Sequence, residues 1–403
     1  MKESRADQKF ADRGLFFADL YGFSNKLNAA EKSKLQELEK VLKEEIHPLL
    51  ADGWDKAEYP LDAMKSIFDL HLIDDPALTE GRADKSTSEL YRGFRAYTLA
   101  KTDPVVGTFF TQNAGLFHEC VRLGGSDEQI ARLMPGVRSW EHPGAMAMTE
   151  PEHGSDIAGG VEATAKRDGD TWTLNGHKKW IGGAVVEYLG FFARDVDDNQ
   201  VKLFYVPRET PGVETKVQPQ KGLFRMMPNA EIIMTDVKVT EADRAQKVNS
   251  WKDVAHILRN TRSDVAWLLA GAAAGAFESA LKYTREREQF GRPLSKFQLI
   301  QEKLAKMAMN CQATLAICAK LAEEQEQGVY LEENSSMAKM HNGLKARETA
   351  QLAREVCGGN GILLEYDVVR FFTDIEAMYT YEGTNEINSL IIGRYYTGTG
   401  AFV

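Results

Sequence analysis

The sequence contains no run of about 18 apolar residues, the length a helix needs to cross a bilayer, so no transmembrane span is expected. It holds only four cysteines, Cys120, Cys311, Cys318 and Cys357, and none has the spacing of a metal-ligand set. Neither a disulfide framework nor a metal centre is therefore expected, and the thiols read as structural ones in a reducing cytoplasm. Basic excess is missing too. Lys and Arg number 49 against 59 Asp and Glu, a formal charge of −10, which argues against a nucleic-acid partner. The opening stretch MKESRADQKFADRG lacks the apolar core of a secretory signal and is too acidic for a transit peptide. No internal repeat or low-complexity tract is present.

What is there is a chain of 403 residues, 43% hydrophobic and 27% charged, the balance of a folded protein of two or three domains. From about Asn28 to Arg138 the pattern is helical. Asn28 is a helix cap, and Leu35, Leu38, Val41, Leu42 and Ile46 recur at three- and four-residue steps. Pro48, Pro60, Pro76, Pro104 and Pro135 are expected to divide the rest of that segment into several helices. Between Val161 and Val239 short β-rich runs alternate with turn residues. Thr171–Leu174 follows the turn at Asp168-Gly169-Asp170, and Asn175-Gly176 predicts a further turn. Tyr188–Ala193, Val201–Val206 and Glu231–Met234 predict strands. Helical periodicity returns over Val265–Glu286, Ser295–Gln325 and Ser335–Val356. The expected class is α+β: an N-terminal helical domain (1–143), a middle antiparallel β-domain (144–250) and a C-terminal four-helix bundle (251–403).

Five stretches carry candidate chemistry. Ala147–Asp156 puts hydroxyls and backbone amides in a Pro- and Gly-shaped loop that can bond a planar polar ring or a phosphate, although a plain loop is the commoner origin of such a string. Leu174–Ala184 sets Trp180 beside Gly182 and Gly183. The indole can lie flat on a ring system, or it can be an ordinary core Trp. Tyr283–Gln298 reads as an Arg-rich helix ending at Gly291, with Pro293 opening the next element. Arg287 can meet a phosphate there and Phe290 can cover a ring. Glu355–Gly361 holds three glycines after a helix, either a helix stop or a place of close backbone approach. It lacks the spacing and preceding strand of a Rossmann site. Tyr379–Glu386 sets one carboxylate, Glu382, among aromatics and beside Gly383. That is the pattern of a desolvated general base, although on its own an exposed Glu in a loop is the commoner origin of such a string.

Taken in order, Thr149-Glu150-Pro151 with Gly154-Ser155-Asp156, Leu174-Asn175-Gly176 with Lys178 and Trp180-Ile181, Arg287 to Leu294, Gly358–Gly361 and Tyr381–Thr384 resemble the acyl-CoA dehydrogenase and oxidase family. The resemblance runs from about Leu35 to Phe402 and is closest to the glutaryl-CoA dehydrogenase and plant short-chain oxidase branch. It implies FAD as cofactor, an acyl-CoA substrate, an electron-transfer flavoprotein as acceptor and a homo-oligomer, a tetramer in the family. Met146, Ala147, Met148, Thr149 and Ser155 are implied flavin contacts, as are Trp180, Ile181 and Gly182. Ser155 is shared with the CoA portion. Arg287, Phe290, Gln298, Glu355, Gly358 and Gly359 are implied to serve the FAD of a neighbouring subunit, and Thr384 and Glu386 to close over the cofactor. Arg262, Gly383 and Phe402 fall on the substrate side. Glu382 matches the base that takes the α-proton, its backbone N–H matches a donor to the enolate oxygen, and flavin N5 accepts the β-hydride, giving a trans-2-enoyl-CoA.

Departures sharpen this. The family's other base location is occupied by Thr261, which has no proton-accepting carboxylate. Gly107 stands where glutaryl-CoA dehydrogenases carry the Arg that binds the distal carboxylate. Without that cation a buried carboxylate is costly, so an uncharged acyl chain is expected. Gly182 replaces a common Thr, as in plant short-chain oxidases. An O₂-using oxidase, a glutaryl-CoA dehydrogenase and a catalytically dead flavin- or CoA-binding assembly factor remain the alternatives.

Overall fold

A computed structural model describes residues 14–82 and 86–401 of the chain. Its first helix is set by local capping chemistry. Asn28 Oδ1 accepts the Glu31 amide at 3.0 Å, and Glu31 Oε2 accepts the Asn28 amide at 2.9 Å. This reciprocal box starts α1 (Ala29–Val41) where the sequence places it. Through the next segment run α2 (His47–Lys56), α3 (Leu61–Phe68), α4 (Glu89–Thr102), α5 (Pro104–Thr111), α6 (His118–Gly124) and α7 (Asp127–Ser139). Pro60 precedes α3 and Pro104 opens α5, as a residue with fixed φ and no N–H should. Pro48 and Pro135 do not divide helices: Pro48 lies in the first turn of α2, and α7 continues through Pro135.

Two compact units form. One contains the described residues up to Lys56, Pro60–Thr108, and the described residues from Arg262 onward. The other contains Ala57–Tyr59 and Phe109–Thr261.

Strands of the second unit are β1 (Gly144–Ala147), β2 (Thr164–Asp168), β3 (Thr171–Ile181), β4 (Tyr188–Asp195), β5 (Val201–Pro207), β6 (Val213–Val217) and β7 (Ala230–Thr240). They make one sheet in the order β1-β4-β2-β3-β7-β6, with β5 on β4. It is not wholly antiparallel: β1 and β2 both pair with β4 in parallel. The β2–β3 hairpin turns at Gly169-Asp170, as expected. The turn expected at Asn175-Gly176 is instead a β-bulge inside β3, where the register against β7 slips between Leu174 and Gly176. A Cβ on Gly176 would stand 2.4 Å from the Ala163 Cβ. The glycine is there for close packing, and in sequence a bulge and a turn give the same signal.

In the helical unit, α8 (Trp251–Glu286, from Arg262 onward), α9 (Gln298–Glu326), α10 (Glu332–Val356), α11 (Val368–Thr380) and α12 (Asn385–Thr397) complete the chain. Helix α10 packs against α9, α11 and α12. The Ala- and Gly-rich stretch of α8 from Val265 to Phe277 is buried. A Cβ on Gly271 or Gly275 would come within 2.2 Å of the Tyr97 or Lys101 carbonyl of α4, so these glycines let two helix backbones touch. All four cysteines are buried, and burial pushes the Cys357 thiol up to about 12. Helix α8 does not run on to Gly291. It ends at Glu286, and a tight hairpin, β8 (Glu288–Gln289) with β9 (Arg292–Pro293), turns through Phe290 (φ 52°) and Gly291 (φ 72°). Two successive left-handed residues close that two-residue turn. Among the described residues no helix is long and apolar enough to cross a membrane.

Candidate active site

Helix α11 stops at Thr380, and the next three residues form a constrained turn before Thr384 caps α12 by accepting the Ile387 amide at 3.3 Å. Glu382 has φ 56° and Gly383 φ 82°. The left-handed region suits Gly but costs a glutamate roughly 1–2 kcal/mol, so surrounding contacts must hold it there. Three do. Lys339 Nζ donates to the carbonyls of Tyr379 (2.6 Å) and Gly383 (2.8 Å). Asn388 Nδ2 donates to the carbonyls of Gly383 (2.8 Å) and Thr384 (2.9 Å). The Tyr381 hydroxyl shares a 2.9 Å hydrogen bond with Thr108 Oγ1.

The Glu382 carboxyl is half-buried. Burial pushes its pKa above the ordinary glutamate value. Arg262 opposes this, Asp264 adds to it and Lys339 opposes it again. Neither Arg262 nor Asp264 is isolated. Arg262 Nη1 donates to Glu332 at 3.1 Å, and Glu332 also takes a 3.1 Å bond from Arg394. Asp264 receives Arg92 through two parallel bonds of 2.9 and 2.8 Å. Among the described residues the buried Nε of Arg262 has no hydrogen-bond partner, which leaves one donor open. A carboxylate with raised pKa, one open donor and a backbone fixed from three sides suits proton abstraction.

The helical unit thus brings Glu382, Gly383 and Arg262 into one neighbourhood, with Thr384 and Glu386 adjoining. Arg287, Phe290, Gln298, Glu355, Gly358 and Gly359 are exposed on the same unit. Phe290 is 93% exposed, and Glu355 binds Lys303 at 2.6 Å. Phe402 lies outside the described residues.

In the β unit, Met146 and Ala147 end β1, and Met148 and Thr149 follow. Ala147, Met148 and Ile181 are buried. The Lys179 amide donates to the Thr149 carbonyl at 2.8 Å, tying this loop to β3. Trp180 sits at the second irregularity of β3 with φ 62° and its indole 57% exposed. Ser155 is exposed. A Cβ on Gly182 would stand 2.8 Å from the side chains of Gln112 and Met227. Beneath the loop, Glu150 and Lys178 make a fully buried ion pair of 2.6 Å. An exposed indole ring and two accessible hydroxyls fit a planar, polar-edged group such as a flavin. Thr261, in the same unit, donates its hydroxyl to the Leu258 carbonyl at 3.1 Å.

Gly107 packs inward. A Cβ there would lie 2.9 Å from the Ala100 amide nitrogen and Cβ and from Leu268 Cδ2. The position admits no side chain while α4 and α8 stay in place, which is a stronger exclusion than the missing charge alone. Gly107→Ala is expected to lower stability by about 1–3 kcal/mol, read as a melting point several degrees lower. A variant melting with the wild type refutes the packing role.

Sequence reasoning missed Lys339, Asn388 and the Glu150–Lys178 pair. A signal for Lys339 existed: Ser335, Lys339, Asn342, Ala346, Ala350 and Ala353 repeat at three- and four-residue steps, and all are buried.

Two family models match the chain: "Acyl-CoA dehydrogenase, middle domain" over residues 145–237 and "Acyl-CoA dehydrogenase, C-terminal domain" over residues 251–397. An acyl-CoA dehydrogenase of Bacillus subtilis is 32% identical over 308 residues, 75% of this chain and 81% of that one. The glutaryl-CoA dehydrogenase structure of Mycobacterium smegmatis superposes with a TM-score of 0.89 at 31% identity, covering 97% of this chain and all of that one. A glutaryl-CoA dehydrogenase of the same organism in complex with FADH2 gives 0.87 at 27% identity, covering 94% and 97%.

Proposed function

This chain belongs to the acyl-CoA dehydrogenase family, and from that premise we propose that it removes hydrogen across the α,β bond of an uncharged acyl-CoA thioester, with Glu382 as the base. The observation that carries the proposal is the Glu382 carboxyl itself, raised in pKa and fixed on a left-handed turn by Lys339, Asn388 and Tyr381. A thioester acidifies its α-carbon only modestly, so the base must be positioned and the enolate oxygen stabilised. Glu382 takes the α-proton, and its own amide N–H is the proposed donor to that oxygen. Bound FAD supplies the two-electron acceptor that no side chain provides. Met146–Thr149, Ser155 and Trp180–Gly182 are proposed to contact its ring, and Thr384 and Glu386 are further proposed cofactor contacts. The exposed Arg287, Phe290, Gln298, Glu355, Gly358 and Gly359 are proposed to meet the FAD of a neighbouring copy in a homotetramer. The unpaired Nε of Arg262 supports its place on the substrate side. The packed Gly107 supports an uncharged chain over a dicarboxylic one. An electron-transfer flavoprotein is the proposed acceptor, and a cytoplasmic location fits the reducing conditions proposed for its thiols.

The test is an anaerobic visible spectrum of the purified protein. Butyryl-CoA, or a longer uncharged acyl-CoA, is expected to bleach the flavin band near roughly 450 nm, and glutaryl-CoA is not. Slow reoxidation in air supports the dehydrogenase reading, and rapid reoxidation assigns an oxidase instead. Flavin that no acyl-CoA bleaches refutes the proposal.

A further inference from the structure

Helix α10 turns a face of small residues inward, Ser335, Ser336, Ala338, Asn342, Gly343 and Ala346, and in its midst is a lysine with no exposed surface. Burying an ammonium is costly unless its donors are used. Both described hydrogen bonds of Lys339 go to main-chain carbonyls, not to a carboxylate. Burial pushes its pKa down to about 8, against the pull of Glu382.

The two carbonyls are those of Tyr379, in the last turn of α11, and of Gly383, the residue after the base. One amine therefore bridges the two ends of the segment that presents Glu382. The Tyr379 carbonyl is among the last four of its helix, which have no partner within the helix and where the helix dipole favours a cation. The Gly383 carbonyl is also held by Asn388. Removal of the amine frees the Tyr379 carbonyl, leaves the Gly383 carbonyl to Asn388 alone and relaxes a turn that contains two successive left-handed residues. Capping α11 alone would need only one bond. The second bond, beyond the base, fixes where the Glu382 carboxylate and amide point.

We infer that Lys339 is a positioning residue for the reaction: its amine locks the 379–383 turn so that the carboxylate and backbone N–H of Glu382 are presented together to the α-carbon and the thioester oxygen. This rests on the reading of Glu382 as the base. Lys339 does not touch the reacting atoms and is not itself catalytic.

The experiment compares wild type and Lys339→Met by anaerobic stopped-flow, with rates normalised to bound FAD, using butyryl-CoA and its α-deuterated form. Lys339→Met is expected to bind butyryl-CoA within about threefold of wild type. It is expected to reduce its flavin on the order of 10²- to 10³-fold more slowly. Its α-deuterium effect is expected to be larger, because proton abstraction has become harder. A purely structural lysine would lower the yield of FAD-loaded protein and leave the rate per flavin and the isotope effect unchanged, and that result overturns the inference. If the Met variant does not accumulate, Lys339→Gln keeps a polar donor one atom short and is read by the same criteria. Wild type that no acyl-CoA reduces takes down the base assignment and this inference with it. Wild type reduced normally beside an unimpaired Lys339 variant takes down the inference alone.

Discussion

Replacing Glu382 by Gln is expected to leave the protein yellow and FAD-loaded while slowing flavin reduction by butyryl-CoA on the order of 10⁴-fold. The amide keeps the size of the carboxylate and can occupy the same left-handed turn, so the Lys339 and Asn388 bonds to its neighbours survive. What is lost is the proton acceptor, and Thr261 offers no second one. The same substitution has a signed effect on stability. The folded-state pKa of Glu382 lies above the ordinary glutamate value of about 4.3, so this group favours folding below that value and disfavours it as pH rises through the folded pKa. At neutral pH its ionised form is a net cost to the fold. Glu382→Gln should therefore melt higher than wild type at pH 7 to 8, with the difference shrinking in acid. Wild-type activity should fall as pH drops through the same raised pKa. A Gln variant that reduces its flavin at the wild-type rate sinks the base assignment. One that melts lower at pH 7 sinks the electrostatic account while leaving the catalytic one standing.

How much of this could be read in advance depended on how local each cause is. Asn28 and Glu31 stand three residues apart and carry their own helix start, so the cap was legible. Glu382 was singled out as a candidate because aromatic neighbours and a following Gly travel with it in the chain. Asn175-Gly176 misled because glycine is needed equally for a tight turn and for close approach to Ala163, and only tertiary packing separates the two. Gly107 was noticed for a charge it lacks. Its physical reason, contact with Ala100 and Leu268, comes from two other helices and leaves no trace nearby. Pro135 was expected to break a helix that instead carries it. Lys339 lay on a helical face whose spacing marks it as buried. Charge weighs toward solvent in any reading of sequence, and its partners are carbonyls 40 and 44 residues away, which no side-chain pattern encodes. The family motifs point to the residues proposed to face the ligands, and the residues that hold their loops and turns in place come from the packing.

Lys178→Met tests the same division in the β unit, and its expected effect on stability is the largest proposed for a single substitution in this chain. Lys178 Nζ lies 2.6 Å from Glu150 Oε1, with side-chain exposures of 0% and 2%. Glu150 also accepts the amides of Glu162 (2.7 Å) and Ala163 (3.0 Å), so one carboxylate joins the loop after β1, the start of β2 and the middle of β3. Burial alone drives the Lys178 pKa down to about 8 in spite of that partner, a measure of how dry the site is. Taking the lysine away leaves a buried carboxylate with two amide donors and no countercharge, which costs about 3–5 kcal/mol. For a unit of this size that corresponds to a melting point lower by roughly 6–20 °C. The loop carrying Thr149 and the bulge carrying Trp180 flank the pair, so FAD should also dissociate more readily from the variant. Lys178→Met combined with Glu150→Gln removes the stranded charge and should recover part of the loss; the two backbone donors bond different oxygens of Glu150, so the amide oxygen keeps one of them and the other is left facing the NH2 group. If the single and double variants melt together, well below wild type, the stranded charge is not the cause and loss of packing around Lys178 is. If both melt with wild type, the pair does not hold this loop at all.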